Sequence, residues 1–77
     1  MGKVDYYRNQ YQEAVTNYEL IKAGAEAVLC KMVQDGEIDT DKVTEIGNAI
    51  ESAKRSVSYS ESALKKAEVE EGGSENA

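Results

Sequence analysis

Proline, histidine, tryptophan and phenylalanine are all missing from this 77-residue chain, and cysteine occurs once. Each absence removes an option. Without proline, nothing forces a helix to kink or stop. Without histidine, a zinc site would have to be assembled from carboxylates and the Cys30 thiol, and that thiol would lack its usual general base. A lone cysteine cannot form an intramolecular disulfide, and it suits a reducing compartment. No run approaches the ~20 apolar residues that span a bilayer, and no apolar stretch follows a basic N-terminus as in a signal peptide. The expectation is a soluble, cytoplasmic protein with no cofactor, no metal and no membrane contact.

The usual staples of a small domain are therefore missing. At this length a single hydrophobic core supplies only about 3–5 kcal/mol. Association, with itself or with a partner, is the remaining way to complete the core. The net charge of −6 is unevenly spread. Residues 1–34 balance Lys3, Arg8, Lys22 and Lys31 against Asp5, Glu13, Glu19 and Glu26. The excess acid lies in Asp35, Glu37, Asp39 and Asp41 and again in Glu68, Glu70, Glu71 and Glu75. Such a surface repels phosphate backbones, which disfavours nucleic acid as a partner.

What the chain does have is a heptad seam. Val4, Tyr7, Tyr11, Ala14, Tyr18, Ile21, Ala25, Val28 and Met32 follow a three-four spacing, and so do Val43, Ile46, Ile50, Ala53, Val57, Ser60, Leu64 and Ala67. This is the 3.5-residue rhythm of helices packed side by side. It predicts one helix over about 3–34, a turn at 35–38 and a second helix over about 39–69. Gly36 is the expected helix stop. Asp39 is the expected N-cap, with Ile38 and Val43 spaced as a hydrophobic staple. Residues 70–77, acidic and glycine-containing, are expected to be a disordered tail.

Two helices of similar length joined by so short a link must fold back on each other. The predicted fold is all-α: a long antiparallel two-helix hairpin, coiled-coil-like, dimerising into a four-helix bundle. Pairing around the turn brings Tyr18 near Val57, Tyr11 near Leu64 and Tyr7 near Ala67. Small residues of the second helix (Ala49, Ala53, Ser56, Ser60, Ala63, Ala67) give the tyrosines room. Gly24 and Gly47 each cost a helix ~1 kcal/mol against alanine and are candidates for a close backbone crossing.

The connection Asp35-Gly36-Glu37-Ile38-Asp39 looks like the second half of an EF-hand calcium loop. In that register Lys31 and Val33 would take the first and third ligand positions and Lys42 the closing glutamate's, so calcium is excluded. The remaining acids and amines lie on helical surfaces with no pocket to gather them, and an enzyme is not expected.

More telling is the apolar surface left once the seam is assigned. Val15 and Leu29 flank it at heptad position e, while Tyr6 and Leu20 lie further round, at position c. A hairpin cannot cover all of these, and leftover apolar rows mark contact surfaces. The candidate partner interface is Tyr6, Tyr11, Val15, Tyr18, Leu20 and Leu29, with Tyr11 and Tyr18 tying it to the core.

In layout alone, residues 3–69 and the acidic end resemble the Rop family of plasmid copy-number regulators, helical hairpins that dimerise and bind paired RNA loops. No sequence motif is shared, so no RNA-binding residue is carried over. The chain also has the size of the small secreted Trp-X-Gly hairpins, but its connection reads Gln34-Asp35-Gly36-Glu37 and lacks their motif. The functional expectation is a protein–protein interaction module (adaptor, regulator or inhibitor) acting as a homodimer or on a protein partner. The alternatives are a Rop-like RNA-binding regulator and a secreted or phage structural subunit.

Overall fold

The computed structural model describes residues 2–76, with side chains accounted for up to Glu71. Helix α1 spans Lys3–Asp35 and helix α2 spans Thr40–Asn76. They pack against each other along their length as an antiparallel hairpin, with principal extents of 62 × 17 × 14 Å. No strand occurs among the described residues.

The turn is built from local capping. Gly36 adopts the left-handed conformation at φ 72° and ψ 14°, which a side chain would strain. Its N–H donates to the Val33 carbonyl, and the Glu37 N–H donates to the Met32 carbonyl, both at 3.2 Å. These two bonds form a Schellman closure, and they satisfy carbonyls that the end of α1 would leave unpaired. Three residues on, the Asp39 carboxylate accepts from the Lys42 N–H at 3.2 Å, so Asp39 caps α2 as expected. The helix boundaries at the turn thus fall within a residue of those expected.

At the other end the boundary differs. The second helix is assigned to Asn76, past the expected stop at Val69. Glutamates 68, 70 and 71 are adequate helix formers, and no proline or capping signal intervenes at Val69. Glu70 also meets Lys3 of α1 at 3.8 Å, and the Glu71 carboxylate lies beside Gly2. The rest of the tail that was expected to be disordered, residues 72–77, lies outside the residues whose side chains are described.

The packing register follows the expected seam. Tyr7 and Ala67 line one groove, Ala14 and Ser60 a second, and Val28 and Ile46 a third. The same ladder brings Tyr11 to the height of Leu64 and Tyr18 to that of Val57. Among the described residues the buried ones are Ala25, Met32, Ala53 and Ala67. Three of the four are alanines, because the helices approach closely where side chains are small. The large seam residues are only half-buried, and Val28 and Val43 remain 36% and 39% exposed. No large side chain is completely enclosed among the described residues.

Neither helical glycine marks a close crossing. A Cβ added to Gly24 or Gly47 would meet no heavy atom within 4 Å, so the alanines make the near approach instead.

Two glycines should therefore respond oppositely to the same change. Gly47→Ala fills open space on a helix and should raise stability by roughly 0.5–1 kcal/mol. Gly36→Ala forces a side chain into the left-handed region and should lower stability by about 1–2 kcal/mol. Chemical denaturation of both variants measures the two signs.

Candidate functional site

A continuous α1 turns by about 100° per residue, so position along the helix fixes which side each leftover apolar residue occupies. Val15 and Leu20, five residues apart, point about 140° away from each other. The six residues expected to form one contact surface are thus divided between two flanks of the seam. Tyr11 and Tyr18 sit on the seam itself, half-buried. Val15 and Leu29 lie on one flank, Tyr6 and Leu20 on the other. Even the latter pair is separated by about 21 Å of helix.

The flank of Val15 and Leu29 is a solvated one. It carries Arg8, Glu19, Lys22 and Glu26 from α1, and Glu51, Lys54, Glu61, Lys65 and Glu68 from α2. Arg8 pairs with Asp5 at 3.3 Å and Lys65 with Glu61 at 3.2 Å, all on this side. The Lys22 ammonium lies 5.3 Å from the centre of the Tyr18 ring. Its stem is drawn over the seam while its charge stays near water. Val15, Lys22 and Glu61 are accordingly half-buried, and this side of the core is partly roofed by the hairpin's own side chains.

The opposite flank is open. Three grooves follow one another along it, all lined from the same side of the seam. Near the chain ends the lining is Lys3, Tyr7, Ala63, Lys66, Ala67 and Glu70. In the middle it is Gln10, Glu13, Ala14, Asn17, Ser56, Tyr59 and Ser60, with Glu13 the one charged member. Toward the turn it is Ile21, Gly24, Ala25, Val28, Ile46 and Ala49. From Asn17 to Ala27 on α1, and from Ala49 to Tyr59 on α2, the side chains on this flank carry no charge. Charges return only toward the ends: Lys31, Lys42 and Glu45 near the turn, and Lys3, Glu13, Lys66 and Glu70 toward the termini.

Tall apolar side chains stand along the rim of this open side. Leu20 is 68% exposed, Tyr59 79% and Tyr6 59%. The Tyr6 ring meets Tyr7 edge-on at 5.2 Å, which ties the rim to the seam. This flank thus combines a floor of mostly small residues with projecting aromatic and aliphatic side chains.

Sequence reasoning missed Tyr59, Gly24 and Ala49 as members of this face. The available signal was their heptad position: Tyr59 shares position c with Tyr6 and Leu20, while Gly24 and Ala49 share position g.

Among the described residues, no group of three His, Cys, Asp or Glu side chains is placed to hold a metal ion. No helix among them is long and apolar enough to cross a membrane. No family model, curated protein or solved structure matches this chain.

Cys30 is exposed, on the outer side of α1 away from both flanks. Alkylation of the folded protein with a maleimide should therefore run to completion without denaturant. Circular dichroism before and after should show unchanged helix content.

Proposed function

We propose that this protein is a non-enzymatic interaction module, a coiled-coil-like helical hairpin that docks its open flank onto other helices. It would act as a homodimer or on a protein partner, in the manner of an adaptor, regulator or inhibitor. One observation carries the reading: the large seam residues stay partly exposed when the two helices are packed together, Val28 and Val43 at 36% and 39%. Fully burying a Val, Leu or Ile is worth about 1.5–3 kcal/mol, so roughly a third of that or less per residue remains to be gained by covering the seam. A chain of this size has little stability to spare, and a second pair of helices is the cover of matching shape.

The uncharged middle of the open flank adds support, since desolvating it costs no buried charge. The exposed Cys30 thiol, with no second cysteine in the chain, suits a reducing, cytoplasmic setting. Position along the chain also ranks the contact residues. Leu20, Tyr6 and Tyr59 belong to the docking face, Tyr11 and Tyr18 connect it to the core, and Val15 and Leu29 serve the hairpin itself.

Thermal melts followed by circular dichroism, paired with sedimentation equilibrium on the same samples, test the module. Helix content and Tm should rise with protein concentration, or else stay low until a partner is added. A fully helical monomer whose Tm is constant over a roughly hundredfold concentration range would contradict the reading. Within an associating sample, Leu20→Asp should weaken assembly about tenfold or more, by placing a carboxylate in the interface. Leu29→Asp should lower hairpin stability and leave the association constant within about twofold. Sedimentation of the two variants separates the flanks.

A further inference from the structure

We infer that the acidic end of α2 is a clasp that finishes α1 from across the hairpin: Glu70 and Glu71 supply the N-terminal carboxylates that α1 lacks as caps of its own. The clasp belongs to the single hairpin and holds whatever the open flank binds.

The two helices begin differently. Helix α2 is capped locally, by the Asp39 carboxylate on the Lys42 N–H. Helix α1 starts at Gly2, which has no side-chain oxygen to offer, and no side chain makes a capping bond there. Tyr6 is the first residue whose N–H finds a helix carbonyl, that of Gly2 at 3.3 Å. The N–H groups of Lys3, Val4 and Asp5 therefore have no partner within the helix. Asp5 is the one acid of this first turn, and its carboxylate is turned to Arg8 at 3.3 Å. The positive end of the α1 dipole is left to an anion from elsewhere.

Two carboxylates of α2 stand at that place. Glu70 reaches Lys3 at 3.8 Å, and Glu71 Oε1 lies 3.6 Å from where a Cβ on Gly2 would stand. Late in α2, these acids are on the unfavourable side of their own helix dipole, whose C-terminal end is negative. No base in the last turn of α2 offsets them. Their position serves α1, not α2. With the clasp closed, the first turns of α1 are held, and with them Tyr6 and Tyr7, whose rings meet edge-on at 5.2 Å. With it open, those turns fray. The end of α2 thus governs how firmly Tyr6 is presented on the rim of the open flank.

The sign of a charge removal decides. Acting only through α2, Glu71→Gln would relieve an unfavourable dipole contact and steady the terminal end of the hairpin. Acting on a clasp, the same change loosens α1. Amide hydrogen exchange of the full chain, followed by NMR, reads the two signs residue by residue. In Glu71→Gln, exchange at Tyr6, Tyr7 and Arg8 should quicken roughly two- to fivefold, and further in the double variant with Glu70→Gln. At about 1 M salt the difference from the parent should largely vanish, because the contacts are on the surface. Glu68→Gln removes the same charge from the same helix, away from Gly2, and should leave these rates unchanged.

Faster, salt-sensitive exchange in the first turns of α1, in the Glu71 variant and the double variant but not in Glu68→Gln, is the expected result. Unchanged or slower exchange there overturns the clasp. So does an equal acceleration in Glu68→Gln, or one that persists undiminished in high salt. None of these outcomes bears on the docking of the open flank, whose test is the concentration dependence of assembly.

Discussion

Two helices can enclose very little. A residue at a helix–helix contact has neighbours on one side, and only a third and fourth helix would close the others. Every feature of this hairpin follows from that geometric limit. Among the described residues burial is deepest where alanines let the backbones approach, at Ala25, Ala53 and Ala67, and at Met32 beside the turn. Larger seam residues, the tyrosines above all, reach past the contact line and stay partly in water. Tyrosine suits such a place, since its ring packs while its hydroxyl keeps a polar exit. The chain thus folds into a shape whose core is half finished.

The two flanks deal with this incompleteness differently. On one, Lys22 lies over Tyr18, so a long charged side chain covers apolar surface with its stem. Covering of this kind leaves a surface that water can wet and that another protein has no reason to displace. The other flank has no such roof. Its middle is made largely of Gly, Ala, Ser and Asn with Leu20 and Tyr59 projecting, and apart from Glu13 its charges lie near the ends. The asymmetry sets a charge-rich flank against one whose charges lie mostly near its ends.

Much of this architecture was legible in the residue order. The seam could be read because a 3.5-residue spacing sustained over eight or nine positions in each helix has no other structural meaning. Gly36 and Asp39 could be read because capping chemistry is local. The end of α2 could not, since Val69-Glu70-Glu71 contains no stop signal and Glu70 gains a partner in Lys3, far away in sequence. How the leftover apolar residues divide between the flanks was harder to read. Val15 and Leu20 look alike in a list of leftover apolar residues, yet the turn of the helix sets them on opposite sides. Tyr59 was overlooked because it stands alone among polar residues on α2, and its role depends on which side of α1 lies opposite.

The turn has a consequence for how the molecule assembles. Its Schellman bonds and its Asp39 cap involve only residues 32–43, so the bend can form before the helices have met. From there the two strands of the seam close outward like a zip, each new contact adding little loop entropy to the last. Register is set at the first tooth. The Lys3–Glu70 pair, at the far end and on the surface, is then the last contact made and the first to open, so the hairpin breathes from its termini while the bend endures.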